Sequence, residues 1–259
     1  MQETQVTTDQ NNDRTVLEIT GEDRVKFLQD LVTNDLGRMA DGLVYAALLS
    51  PQGKYLFDFF VFARGATIYI DVASDRATAL AQRLTMYRLR AKVGIAASDL
   101  LVSRGLGTPP SDAMPDPRHP ALGWRLYSET LHPVEAVDWN AIRVAHLIPE
   151  TGIELVADDS YILEMGFERL SGVDFRKGCY VGQEVTARMK HKTELRKGLA
   201  RVVLDGPAEA GTDINMGGKV IGRLHTVSGD QAMAYLRFDQ AGDGMLAGKA
   251  GVRIDSAEA

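Results

Sequence analysis

The chain has 259 residues, 45% hydrophobic and 25% charged, with a formal net charge of −6. These are the proportions of an ordinary soluble globular protein of one to three domains. No apolar run approaches the ~18 residues of a membrane-spanning helix, and the acidic balance excludes a nucleic-acid surface spread over the whole molecule. The single cysteine, Cys179, excludes an internal disulfide and a metal site built from several thiolates.

Residues 1–14 are polar and lack the charged-then-apolar pattern of a signal peptide, so they read as a frayed tail and the expected compartment is the cytoplasm. Residues 15–20 read as a strand. Gly21-Glu22-Asp23 then opens a helical pattern with Val25, Leu28, Leu31 and Val32 on one face. The apolar run 43–49, the turn Pro51-Gln52-Gly53 and the aromatic-rich run 55–63 predict a hairpin. A further strand is expected at 67–72. Ser74 or Asp75 is the expected cap of a helix with apolar positions Ala79, Leu80, Leu84 and Tyr87, and 93–97 returns as a strand. Helices set among strands without strict alternation predict an α+β layer, with helices on one face of a mostly antiparallel sheet.

Residues 105–123 hold five of the nine prolines, Pro109, Pro110, Pro115, Pro117 and Pro120, and read as a linker between two sub-domains. Residues 139–147 read as a helix ended by Ile148-Pro149-Glu150, because proline disfavours helix at the residue before it. From Gly198 onward, apolar runs at 199–204, 220–224, 232–238 and 250–254 alternate with turns such as Asp205-Gly206-Pro207 and Gly242-Asp243-Gly244. Strands at that spacing predict a small barrel or sandwich. The expected division is therefore an α+β sub-domain at 1–104, a second at 105–195, and a C-terminal barrel or sandwich at 196–259.

Residues 172–188 read GVDFRKGCYVGQEVTAR. Gly178 and Gly182 flank the thiol and permit positive φ and close approach of a ligand. Arg176, Lys177 and Arg188 are neighbouring cations, expected to lower the thiol from its ordinary pKa of ~8.5 and to favour the reactive thiolate. Gln183 and Glu184 offer an amide and a carboxylate to a polar ligand. Plainer readings exist: a lone cysteine is commonly a small buried hydrophobe, and Glu184 and Arg188 have the i, i+4 spacing of a helix-surface pair. Residues 176–201 carry eight cations and two anions, net +6, in a chain otherwise at −12. Such a segment is an anion-site candidate or a solvated face.

Lys177-Gly178-Cys179-Tyr180-Val181-Gly182-Gln183-Glu184, followed by Arg188, resembles the defining motif of the YgfZ family, which is related to the T-protein aminomethyltransferase of glycine cleavage. Residues 139–155 (WNAIRVAHLIPETGIEL), 21–36 (GEDRVKFLQDLVTNDL) and 48–62 (LLSPQGKYLFDFFVF) are similar to further blocks of the same superfamily. The resemblance implies a T-protein-like ring of α+β sub-domains around a central folate site, with a C-terminal small β-barrel at 196–259. It implies a tetrahydrofolate-binding accessory factor for the synthesis or repair of iron–sulfur proteins, tRNA-modifying enzymes among them, that acts through Cys179. Its implied partners are iron–sulfur clients and folate, with no direct nucleic acid and no membrane, and the chain is expected to be a monomer. Where T-protein relatives carry a pair of acidic residues, this chain has Phe57-Asp58, which counts against an active aminomethyltransferase. Asp58 and Glu164 are implied ligand contacts, with Lys177, Gln183, Glu184 and Arg188 from the motif. The basic side chains would pair with the glutamate tail of a folate, with Arg188 foremost and Lys190, His191 and Lys192 as rim charges. The alternative is a folate-dependent aminomethyl or one-carbon transferase. A third reading, an RNA-associated module, rests on the basic segment and has the overall acidity against it.

Overall fold

The computed structural model describes residues 13–191 and 195–255; residues 1–12 of the expected tail lie outside that range. The described residues fall into two compact units, Met1–Val137 with Glu168–Gln183, and Asp138–Phe167 with Glu184–Ala259. Both units are discontinuous, which differs from the three consecutive segments expected. The expected boundary at 105 falls inside the first unit, and that at 196 inside the second.

The first unit contains β1 (Arg14–Thr20), α1 (Arg24–Gln29), β2 (Val44–Leu49), β3 (Tyr55–Arg64), β4 (Thr67–Ala73), α2 (Ser74–Arg88) and β5 (Gly94–Ala97). The strands form one antiparallel sheet in the order β2-β3-β4-β1-β5. Helix α1 stops at Gln29, earlier than its apolar pattern suggests, and Val25 is exposed while Leu28, Leu31 and Val32 are buried. In α2 the inward positions are Ala77, Leu80 and Leu84; Ala79 faces solvent, and Tyr87 is partly buried against the core. Ser74 is the first helical residue and not the cap: Ala73 precedes it with no side-chain cap bond, and the Ser74 hydroxyl pairs with that of Thr15 at 2.8 Å.

The first eight residues of β3 are all buried, as expected only where both faces of a sheet are covered. Alternation puts Phe57, Phe59 and Val61 in the core shared with Leu28, Leu80 and Leu84. Asp58, Phe60 and Phe62 point to the opposite face. That face is covered by a second sheet, β6 (Leu101–Gly105), β7 (Met114–Pro115) and β8 (Trp124–Ser128), in the order β6-β8-β7. Phe62 stacks on Tyr127 at 4.2 Å between centroids, and the Arg125 guanidinium lies 3.9 Å over the Phe60 ring.

A buried ionic network locks the two sheets. Asp71 accepts from Arg14 Nε (2.6 Å), Arg125 Nη1 (3.1 Å) and the Tyr127 hydroxyl (2.9 Å). Asp116 accepts from Arg125 Nε at 2.9 Å and from Arg118 Nη2 at 2.8 Å. Burial pushes the Asp116 carboxyl up, but the Arg118 and Arg125 charges outweigh it and hold the group well below the usual carboxylate range. This network corrects the reading of 105–123 as a linker: the proline-rich segment belongs to the first unit and delivers Asp116 to the buried side of β8.

The second unit contains α3 (Trp139–Ala145), α4 (Gln183–His191, from Glu184 onward) and six strands. These are β9 (Lys197–Asp205), β10 (Asp213–Met216), β11 (Lys219–Ser228), β12 (Gln231–Arg237), β13 (Met245–Ala247) and β14 (Ala250–Ile254). They close into a barrel in the order β10-β11-β12-β9-β14-β13, with β10 pairing β13. The interior follows the period-2 rule, with Ala200, Val202 and Leu204 of β9 facing Ile221, Ala234 and Leu236. Of the barrel or sandwich expected, the chain builds the barrel. The strands β10 and β13, four and three residues long, are too short to show a period of their own in the sequence.

Candidate functional site

Cys179 is exposed. It sits on an irregular loop that the first unit holds at several points. The Asn34 amide donates to Ser171 O at 2.6 Å, the Thr33 hydroxyl to Gly172 O at 2.7 Å, and Asp174 N to Thr33 O at 3.1 Å. Lys177 is 8% exposed and drives its ammonium into the end of α1, donating to Gln29 O at 2.6 Å and to Val32 O. It thereby satisfies the Gln29 carbonyl that the helix leaves open, and the Val32 carbonyl in the turn that follows. Burial lowers the Lys177 amine from 10.5 to about 8, against the raising effect of Asp35 and other carboxylates. Tyr180, just past the thiol, is buried, with its ring centroid 5.2 Å from the Lys177 ammonium.

The two glycines differ. Gly182 has φ +82, and a Cβ there would lie 2.6 Å from Ser50 O and 3.0 Å from Gly53 Cα, so its bareness seats the loop on the β2–β3 turn. Gly178 has no positive φ, and a Cβ there would meet open space. The loop is thus fixed on both sides of the thiol, and the side next to Gly178 is open.

The three cations expected to act on the thiol are engaged elsewhere. Lys177 serves the Gln29 and Val32 carbonyls. Arg176 is exposed, with Nε 3.8 Å from Asp174. Arg188 pairs with Glu184 at 2.6 Å on α4, the two side chains 67% and 85% exposed. The plainer reading of Glu184 and Arg188 as an i, i+4 pair describes their geometry. Gln183 opens α4 and is half-buried, its N–H donating to Tyr180 O at 3.2 Å. Lys190 and His191 are exposed; Lys192 lies outside the described residues.

Asp58 is 5% exposed, and its oxygens accept from the Tyr45 hydroxyl at 2.9 Å and the Tyr55 hydroxyl at 2.7 Å. Sequence reasoning missed both tyrosines. The hairpin register carried the signal: Ala47 faces Asp58 and Tyr45 faces Phe60, so Tyr45 and Asp58 are diagonal neighbours on one face. In the second unit Glu164 is 8% exposed and accepts from the Tyr235 hydroxyl at 2.6 Å, with Lys197 Nζ at 3.8 Å. Burial and the Glu164 hydrogen bond push the Tyr235 hydroxyl up. Both Asp58 and Glu164 are buried carboxylates. Of the seven expected site residues, Asp58, Lys177, Cys179 and Gln183 belong to the first unit and Glu164, Glu184 and Arg188 to the second.

A cavity of about 150 Å³ in the first unit is lined by Asn34, Arg38, Tyr45 and Ser171 among others. One of about 740 Å³ at the end of the barrel is lined mainly by small residues, with Glu209 and Lys249 as its charges. The first is below the ~300 Å³ at which small-molecule sites begin, and none of the seven expected residues lines either. Among the described residues, no group of three or more His, Cys, Asp or Glu is placed to hold a metal ion, and no helix is long and apolar enough to cross a membrane.

Residues 196–258 match the family described as CAF17, C-terminal beta-barrel domain. Over most of its length the chain is similar to proteins named iron–sulfur cluster assembly factor IBA57, mitochondrial, or its homolog. It is 32% identical to that of Mycosarcoma maydis, over 71% of this chain and 54% of the relative. It is 29% identical to the mouse protein (87% and 76%) and 27% to the human one (86% and 75%). Its relatives are iron–sulfur cluster assembly factors. The chain spans about half the length of the fungal relatives it matches. Among solved structures, glycine cleavage system aminomethyltransferase T from Bartonella henselae matches with TM-score 0.68 at 11% identity, over 93% of this chain and 82% of that one. The fold is the one seen in that aminomethyltransferase.

Proposed function

We propose that this chain is a factor of the YgfZ type that supports the synthesis or repair of iron–sulfur proteins through Cys179. The observation that carries the reading is the thiol itself: it is exposed, on a loop anchored by Lys177 on one side and Gly182 on the other. Such a thiol is positioned for a partner, whereas a structural cysteine is buried and inert. The names of the relatives point the same way. In this reading the thiolate ligates iron, takes over a sulfur-linked group from a donor whose leaving group accepts the thiol proton, or attacks a client disulfide to form a mixed disulfide with release of the client's other thiolate, with tRNA-modifying iron–sulfur enzymes among the clients. The cytoplasmic location and the monomeric state belong to the proposal too; the named relatives are mitochondrial proteins.

Tetrahydrofolate is the proposed ligand. Its candidate contacts are, in the first unit, Asp58 and the half-buried Gln183, and in the second, Glu164 with the exposed Glu184 and Arg188; tyrosine hydroxyls orient Asp58 and Glu164. A carboxylate has about four acceptor positions, so the Tyr235 hydroxyl leaves Glu164 further acceptor capacity. Lys177, its ammonium occupied, contributes by holding the loop.

The test is Cys179→Ser in cells lacking the endogenous factor. Expected are an unchanged melting temperature, unchanged tetrahydrofolate affinity by calorimetry, and loss of the restored iron–sulfur enzyme activity. Full restoration by the serine variant rejects the thiol role, and absence of tetrahydrofolate binding to the wild type rejects the ligand. The fold likeness supports a second reading, a folate-dependent aminomethyl transferase. Formation of methylene-tetrahydrofolate from an aminomethyl donor by Cys179→Ser would establish it.

A further inference from the structure

We propose that the C-terminal corner of α2 is a docking surface for an acidic patch on a partner protein. Residues 76–98 carry Arg76, Arg83, Arg88, Arg90 and Lys92 and not one carboxylate, in a chain of formal net charge −6. Helix α2 spends its apolar face, Ala77, Leu80 and Leu84, on the sheet. At its end Met86 is 67% exposed and Leu89 90% exposed. Leu89 adopts φ 44, ψ −103, a left-handed backbone that favours glycine and strains a leucine. A side chain so exposed recovers nothing from the chain's own packing, so strain and exposure coincide at one residue with no internal compensation.

Three of the five cations are occupied within the unit. Arg76 lies 5.1 Å over the Phe57 ring, Arg88 Nη1 donates to Val93 O at 3.3 Å, and Lys92 pairs with Glu22. Arg83 and Arg90 have no carboxylate partner among the described residues. The corner therefore presents an apolar knob, Met86 and Leu89, with two guanidinium groups close by in sequence, Arg83 half-buried and Arg90 exposed. Methionine and arginine are enriched where proteins meet, and a guanidinium fork grips carboxylates through paired hydrogen bonds. The complementary occupant is a protein surface bearing Asp or Glu around an apolar notch. A lipid surface fits less well, because membrane binding grows with the apolar area inserted and the apolar face of α2 is already committed to the core. The inference does not rest on the thiol.

The experiment places a photo-crosslinking residue in the full chain in cells, as Leu89→benzoylphenylalanine, with Leu246→benzoylphenylalanine on the barrel as control. The expected result is a crosslink from position 89, absent from 246, to an Asp- or Glu-rich segment of one protein. Once purified, that protein binds the wild type at least about tenfold more tightly than Arg83→Glu/Arg90→Glu, with the gap narrowing at high salt. Leu89→Gly relieves the backbone, so it keeps or raises the melting temperature while weakening the complex; a purely structural leucine would not separate the two readouts. The proposal is overturned by no crosslink above the control, by a crosslink to a second copy of this chain, or by affinity insensitive to the charge reversal. It is also overturned if phosphatidylcholine–phosphatidylserine vesicles bind the wild type and not the double variant.

Discussion

Lys177 and Arg188 belong to the same short basic stretch, and the molecule uses them in opposite ways. Lys177 is 8% exposed, and its ammonium closes the end of α1 by donating to two carbonyls. Arg188 is 67% exposed and, among the described residues, pairs with a solvated carboxylate one helical turn away. The loop before α4 is built from interactions made out of water, where each one matters; the charges on α4 stay in water, where each is screened. A run of cations around a cysteine therefore has no single meaning, and burial decides which of them shape the loop and which remain free for a ligand.

Three substitutions can break or sharpen this contrast. The largest effect is expected for Gly182→Ala, which combines a left-handed backbone with a Cβ 2.6 Å from Ser50 O. It should cost roughly 2–5 kcal/mol in urea unfolding and release the loop, seen as faster amide exchange at 174–182. A loss under 1 kcal/mol (about the cost of a left-handed φ without the clash) would show that the seat on the β2–β3 turn is not tight.

Lys177→Met should cost about 1–3 kcal/mol by stranding the Gln29 and Val32 carbonyls. Its pH dependence has a defined sign. Burial lowers the folded-state amine from 10.5 to about 8, so between these values the unfolded chain holds a proton that the folded chain has released. The Lys177 contribution to stability then rises with pH across that window. The wild type should gain on Lys177→Met by at most roughly 3 kcal/mol between pH 8 and 10.5, read from the difference in urea midpoints. A gain toward acid pH instead would mean that the carbonyls outweigh burial.

The smallest effect is expected for Glu184→Ala, about 0.5 kcal/mol or less, vanishing at high salt. A loss above 1 kcal/mol (beyond the usual range for exposed pairs) would place Glu184 with the buried group and erase the contrast.

Much of the fold was legible because it follows local periodicity. The run 55–63 and the turn at Pro51-Gln52-Gly53 predicted the β2–β3 hairpin, and alternation from 199 predicted barrel strands. Where the reading failed, a distant partner decided. Residues 105–123 look like a linker because prolines punctuate them, yet Asp116 is bound by Arg118 and Arg125 in the buried network. Helix α1 looks longer than it is because Leu31 and Val32 continue its apolar spacing after the backbone has left the helix. Cys179 stood out from its flanking glycines, but those glycines act differently, one seated against a turn and the other beside open space.

The sequence by itself determined most element types, the alternating interior of the C-terminal strands, and the segment that displays the thiol, since all three follow from side-chain spacing along the chain, whereas the closing of those strands into a barrel was decided by their pairing. The tertiary structure alone decided that Asp58 is gripped by Tyr45 and Tyr55, that Lys177 holds a helix end and not the sulfur, and that Arg188 stays in water. Those outcomes depend on which groups lose their water, and desolvation is set by the residues packed against a side chain, which sequence spacing does not reveal.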